Sequence, residues 1–258
     1  MSRILYCAST AGHLRSFHLP YLTALIQGGH RVTAAAAGTG EGLPEGVDFV
    51  DVPFTKSFTS VRNLRAMFRL ARLLGRERFD LVLTHTSLAA FFTRAALRLA
   101  GKRNTRVVNT VHGYLFGEAA ATPREKLLLA AEKLAAPVTD DVLVMNGEDA
   151  RIAEACRLYR DRLVAIDGMG IHGARFRPPT AAERADARQA LGLRDGDFAL
   201  LYAAEFSLRK NQRFLIECLP SLPENAVLLL PGQGELWEDW WSGYEYYDDE
   251  DWMADLPN

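Results

Sequence analysis

Phe79-Asp-Leu-Val-Leu-Thr84 is followed by an apolar helical stretch, Leu88 to Ala100, that ends at Gly101. Thr105 to Val111 comes next and runs straight into His112-Gly113. The two short apolar runs have the length and composition of buried strands, and the segment between them has a helical period. Strand, helix and strand within some thirty residues read as a βαβ unit, whose two strands must lie parallel.

The alternation continues in both directions. Upstream, Arg3 to Ala8 reads as a strand, Ser9 to Leu14 as a small polar loop, and Ser16 to Gln27 as a helix stopped by Gly28-Gly29. His30 to Ala36 and Asp48 to Val52 are further strands on either side of a Gly-rich loop, and Asn63 to Leu74 is a helix. Downstream, Pro123 to Ala135 is a helix with proline near its start. Asp141 to Met145, Glu148 to Tyr159 and Arg162 to Ile166 follow as strand, helix and strand. The expected fold class is α/β, a parallel sheet with helices on both faces, or Rossmann-like.

Asp167 to Thr180 breaks the pattern with Gly168, Gly170, Gly173, Pro178 and Pro179 and reads as a linker. Ala181 to Leu191 is a short helix, and Phe198 to Ala203 restarts the alternation as a strand. Asn211 to Leu219 reads as a helix with Phe214, Leu215, Cys218 and Leu219 on one side. Ala226 to Leu230 is a strand before the turn Pro231-Gly-Gln-Gly234. The expected domains are residues 1–166, a linker at 167–180, a partial second Rossmann-like domain at 181–236, and a tail at 237–258.

The chain has 258 residues, 48% apolar and 24% charged, as in an ordinary soluble globular protein. Cys7, Cys156 and Cys218 are far apart and form no CxxC, which argues for a reducing compartment and against a zinc or disulfide framework. The N-terminus lacks a signal-peptide core, and no run approaches a membrane span. The net charge of −2 hides an asymmetry. From Glu235 onward there are nine acids and no Lys or Arg, and all four tryptophans lie in the last 22 residues. That segment differs in character from the 30 basic and 23 acidic groups before it.

Several groups stand where ligands bind. His112-Gly113 lies just past a central strand, at the end of an open α/β sheet where ligands sit. Its imidazole could donate to a sugar hydroxyl or a phosphate oxygen, or be satisfied by neighbouring loops. His85 has a similar position, and Gly12 and His13 follow the first strand. Asn146-Gly-Glu-Asp149 reads more simply as a helix cap with acids in its first turn. Arg209 and Lys210 stand at a strand-to-helix turn, where free N–H groups and two cations suit a phosphate; a solvated basic turn is the plainer reading. Arg62, Arg65, Arg69, Arg72 and Arg76 share one helix face, leaving Leu64, Phe68, Leu70, Ala71 and Leu74 for packing. That basic face is either solvated or suited to anionic lipid headgroups. No nucleic-acid motif accompanies it. A G-x-G-x-x-G at Gly168, Gly170 and Gly173 opens into Pro178-Pro179 and is a chance match. P-loop, HExxH and GxSxG patterns are absent.

Taken in order, these stretches resemble bacterial family 4 glycosyltransferases of the retaining GT-B class, of the capsule and exopolysaccharide type. The matching stretches are Phe17-His-Leu-Pro-Tyr-Leu22, Phe79 to His85, Val111-His-Gly-Tyr114 and Asn146 to Asp149. Further on come Gly168-Met-Gly-Ile171 with Arg175-Phe-Arg-Pro178, Arg209 to Glu217, and Pro231-Gly-Gln-Gly-Glu-Leu236. The resemblance implies transfer of a sugar from a nucleotide diphosphate sugar, such as a UDP-sugar, to a polysaccharide or lipid-linked acceptor, with no cofactor and no obligatory metal. It implies that Arg209 and Lys210 neutralise the donor diphosphate, that Glu205 and Gly12 lie near the donor, and that His112 bonds the donor sugar as the catalytic group. His13 and His85 would face the acceptor. The arginine face would dock peripherally on the cytoplasmic side of an anionic membrane.

The sequence departs from the family at Ala204-Glu205, at Gly170-Ile171-His172, and in lacking the Glu-x7-Glu region expected after the Pro-Gly-x-Gly turn. The last departure implies a truncated or divergent second domain. It leaves open a non-catalytic alternative, an acceptor- or partner-binding protein. An epimerase reading would need acid/base carboxylates that cannot be assigned.

Overall fold

The structure is a computed structural model that describes residues 1–55, 57, 60–101, 104–171, 173 and 176–234. The expected tail at 237–258, with Glu235 and Leu236 before it, lies outside the described residues, as do His172 and Arg175 of the linker. The chain divides into two compact units, the first ending at Ile171.

The first unit is a seven-stranded sheet. Its strands are β1 (Arg3–Thr10), β2 (Arg31–Ala37), β3 (Val47–Asp51), β4 (Leu81–His85), β5 (Arg106–Thr110), β6 (Asp141–Val144) and β7 (Arg162–Ala165). They pair in the order β3-β2-β1-β4-β5-β6-β7, every pair parallel. The helices between them are α1 (Ala11–Phe17), α2 (Leu19–Gln27), α3 (Val61–Arg76), α4 (Ser87–Leu99), α5 (Pro123–Ala135) and α6 (Gly147–Ala155). β1 sits mid-sheet and is apolar because both faces are covered. Its alternate residues Leu5 and Cys7 join Leu70, Leu74, Phe92 and Leu97 of α3 and α4. Ile4, Tyr6 and Ala8 join Leu14 and Leu22 of α1 and α2 on the other face. Each fully buried Leu contributes about 1.5–3 kcal/mol.

Among the described residues of this unit, one cation is taken inside. The Arg94 side chain on α4 is fully buried. Its guanidinium donates to both Glu132 oxygens at 2.7 and 2.9 Å, to Thr139 Oγ1 at 3.2 Å and to the Ala90 carbonyl at 3.0 Å. It ties α4 to α5 and to the turn before β6.

Three expectations are corrected here. The helix expected over Ser16–Gln27 is two helices that break at His18, because Pro20 suits the first turn of a new helix and not the interior of an old one. The loop expected over Ser9–Leu14 is the end of β1 and the start of α1, where Thr10 Oγ1 caps the His13 N–H at 3.1 Å. On α3 the buried side is Asn63, Ala66, Leu70 and Leu74, while Leu64 and Phe68 are 47% and 58% exposed among the arginines. Asn63 is buried because its amide binds the Thr55 and Ser57 backbone.

The second unit carries α7 (Ala181–Ala190), β8 (Phe198–Leu201), α8 (Gln212–Cys218) and β9 (Ala226–Leu229). β8 and β9 pair in parallel, and their backbones stay in register beyond the strands. The N–H groups of Tyr202, Ala204 and Phe206 donate to the carbonyls of Leu229, Pro231 and Gln233. Here glycine is required. A Cβ on Gly232 would stand 2.0 Å from the Ala204 oxygen, and one on Gly234 would stand 2.1 Å from the Phe206 oxygen. The packing side expected of α8 is also corrected: Phe214 is 58% exposed and Gln212 is the buried residue. The Gln212 amide donates to the Glu205 carbonyl at 2.8 Å, so a polar contact and not an apolar stripe seats this helix.

Candidate functional site

The sheet order places the candidate site. The chain passes from β1 to β2 on one side and from β3 across to β4 on the other, so β1 and β4 flank the switch point where ligands bind at strand ends. β1 delivers His13 on α1, with Gly12 beside it; β4 ends on His85; β5 delivers His112. His18, at the break between α1 and α2, comes between them.

The four rings form one cluster. Centroids of His18 and His85 are 4.4 Å apart, of His13 and His18 5.0 Å, of His85 and His112 5.8 Å, and of His13 and His112 6.0 Å. Tyr6 stacks on His85 at 4.7 Å, and its hydroxyl meets His18 Nδ1 at 2.8 Å. His18 and His85 are buried, and His112 is exposed. Burial disfavours the imidazolium, and the neighbouring rings disfavour it further. Together they push His18 down to about 3 and His85 to about 2. His13 is lowered as well, chiefly by burial, and His112, although exposed as a residue, is lowered by partial desolvation of its ring. The cluster is neutral at pH 7, so each ring offers one N–H and one lone pair.

The loop carrying His112 is held in place. Gly113 has φ +112, open to glycine and strained for other residues, with nothing within 4 Å of where a Cβ would stand. The next N–H, of Tyr114, donates to Asp149 Oδ1 at 2.8 Å. Asp149 is fixed in turn by Asn146, which caps α6 and donates to Asp149 Oδ2 at 2.7 Å. The cap reading of Asn146 holds, with a second duty that the sequence did not suggest. Beside His112 opens a cavity of about 330 Å³ lined by Phe91, Tyr114 and Leu128, with Asn109, Arg124 and Glu132 among its polar groups. On its rim Thr86, a β-branched residue, holds φ +64, and its buried hydroxyl has no partner.

The expected site residues thus separate. His112, His13 and Gly12 meet at the strand ends, with His85 buried behind them and packed on Tyr6. Arg62, Arg65, Arg69, Arg72 and Arg76 are exposed along α3, Arg69 lying 3.6 Å from Asp51. In the second unit Glu205 and Arg209 are exposed and Lys210 is half-buried, its carbonyl accepting from the Tyr202 hydroxyl at 3.0 Å. Among the described residues no helix is long and apolar enough to cross a membrane. His18, Tyr6 and Asp149 were missed as site residues. His18 had one signal, its place inside the Phe17 to Leu22 stretch.

Residues 21–167, more than half of the chain, match Glycosyltransferase Family 4. The chain belongs to that family. This family 4 chain is 32% identical over 237 residues to EpsD of Bacillus subtilis, named as a glycosyltransferase, covering 91% of this chain and 62% of EpsD. It is 28% identical over 222 residues to an Escherichia coli enzyme named UDP-Gal:alpha-D-GlcNAc-diphosphoundecaprenol alpha-1,3-galactosyltransferase, covering 79% of this chain and 55% of that one. It therefore spans about 55–62% of the length of these relatives. In fold it is similar to Anabaena HepE solved with UDP and glucose, with a TM-score of 0.64 at 18% identity, covering 93% of this chain and 63% of that one. It is likewise similar to WaaG, a glycosyltransferase of lipopolysaccharide biosynthesis, with a TM-score of 0.63 at 19% identity, covering 92% and 65%. The α/β, GT-B-like fold class agrees with these neighbours.

Proposed function

We propose that this chain serves the transfer of a hexose from a UDP-sugar to a lipid-linked or oligosaccharide acceptor, with retention at the anomeric carbon and without an obligatory metal. The observation that carries the reading is the presentation of neutral His112 on a fixed loop at the carboxyl ends of β1, β4 and β5, in a family 4 chain. In this reading the His112 N–H bonds a hydroxyl of the donor sugar, and Gly12 and Glu205 lie near the donor. Arg209 and Lys210 meet the charge that gathers on the leaving diphosphate, where a preorganised cation acts most strongly in the transition state. His13 faces the acceptor and His85 supports the rings from behind. The names of the relatives support the substrate classes: one acts on UDP-Gal and a diphosphoundecaprenol acceptor, and one neighbour was solved with UDP and glucose.

The exposed face of α3 fits peripheral attachment to the cytoplasmic leaflet. Its arginines bracket Leu64 and Phe68, so cations would meet anionic headgroups while two apolar side chains enter the interface.

One observation favours a second reading, a binding protein without catalysis. Among the described residues of the second unit only Phe206 and Gln212 are buried, which is little support for a donor site. Incubation with a panel of UDP-sugars, following nucleotide release and donor binding, separates the two. Transfer or saturable donor binding that is lost in His112→Ala supports the first; no binding of any nucleotide or nucleotide sugar at millimolar concentration sinks it.

A further inference from the structure

We propose that His13, His18 and His112 form a site for a divalent transition-metal ion of the zinc class, with three imidazole nitrogens as ligands and a fourth position open. One ring nitrogen from each of the three lies within 4.8 Å of the others. Two of the rings carry nitrogens that are buried and without a partner, Nε2 of His13 and Nε2 of His18. Such orphans are rare and need an explanation, and a cation accepting both lone pairs supplies one.

His18 is the best placed of the three. It is fully buried, and its Nδ1 stands 2.8 Å from the Tyr6 hydroxyl. When Nδ1–H donates to the Tyr6 oxygen, Nε2 is left with its lone pair and the ring cannot turn. A metal-bound imidazole is held in this way by a partner on its far nitrogen. His13 is half-buried on α1, and His112 is exposed on its loop, so the site is reachable from solvent.

The donor set selects the metal. Three imidazoles without a carboxylate suit zinc, nickel or copper, and they reject magnesium and calcium, which want oxygen. Zn–N bonds of about 2.0–2.1 Å in a tetrahedron set the nitrogens about 3.4 Å apart. Binding would therefore draw the rings together, mainly by rotation of His13 and His112. A bound ion would occupy His112 and exclude a sugar hydroxyl there; only that consequence rests on the transferase reading.

The probe is cobalt(II), titrated at pH 7.5 into the untagged full chain and read by visible absorption. The expected result is one saturable site with the d–d bands of low-coordinate cobalt, displaced by zinc and not by magnesium. His112→Ala removes the exposed ligand and, with an unchanged melting curve, should weaken binding at least about tenfold. His13→Ala should do the same. Failure of cobalt and zinc to bind at up to millimolar concentration overturns the proposal. So does unchanged affinity in both variants, or a near-ultraviolet thiolate band, which would move the ion to Cys156 or Cys218. Because the readout is optical, loss of sugar transfer does not bear on the result.

Discussion

The first unit hides Leu5, Ala35, Val82 and Leu97 almost completely, whereas β8 of the second leaves Phe198 61% and Leu201 68% exposed. Both are built from parallel strands joined through helices. They differ in what covers the strands. In the first, α1 and α2 close one face and α3 and α4 the other, and a charge as awkward as Arg94 can be carried inside because Glu132 travels with it. In the second, the register is kept by backbone pairing from Phe198 to Phe206 and by two glycines that let the chains approach. Parallel pairing with little burial is the weaker device, since most of the stability of a sheet comes from side chains on covered faces.

The contrast between the two units can be tested by measurement. Glu132→Ala should have the largest effect. It leaves the buried Arg94 guanidinium without its carboxylate, at a cost of about 3–5 kcal/mol in urea unfolding of the first unit. A loss under about 1 kcal/mol would mean that this interior is wetter than its geometry says. Next comes a matched pair. Leu70→Ala, in the covered core, should cost about 2–5 kcal/mol, and Phe198→Ala, on the uncovered strand, less than about 0.5 kcal/mol. If the two costs are alike, the face of β8 is covered in solution and the contrast fails.

Acid should act on the first unit selectively. His18 and His85 have folded values near 3 and 2, below the ordinary 6.5, so the unfolded chain binds protons first as the pH falls. Their contribution is whole above about pH 6.5 and is lost progressively toward pH 3, amounting to about 2 kcal/mol per ring at pH 5. Melting curves in EDTA between pH 7 and 4.5 should fall accordingly, and His85→Phe should flatten the slope. Gly232→Ala should cost about 1–2 kcal/mol, an effect confined to the second unit. Hydrogen exchange would read it as faster exchange at Ala204 and Phe206, with β1 unchanged.

Much of this was legible in the sequence, for nameable reasons. Apolar strand runs and helical periods located the elements of the first unit, and α5 begins at Pro123 as expected, with Thr122 and Glu125 forming a capping box around it. His112 was found because a ligand-type residue directly followed a strand. The break at His18 escapes a single helix over Ser16–Gln27, because such a helix ignores Pro20 as the signal for a new first turn. The burial of Asn63 and Gln212 was missed because each serves backbone groups brought near by tertiary structure, which periodicity does not encode. The histidine cluster was only half visible. Its rings come from α1, the α1–α2 break, β4 and the loop after β5, and only the sheet order brings them together.

That order also bears on how the chain is made. β1 needs β2 on one side and β4 on the other, and β4 ends about 75 residues after β1. At about 5–20 residues per second, a ribosome would leave one edge of β1 unpaired for about 4–15 s. That edge is Ile4-Leu-Tyr-Cys7, an apolar template open to any passing strand. Slow synthesis between residues 10 and 85 would lengthen that exposure, and nascent-chain chaperones would be expected to act there before any other part of the molecule has a core to protect.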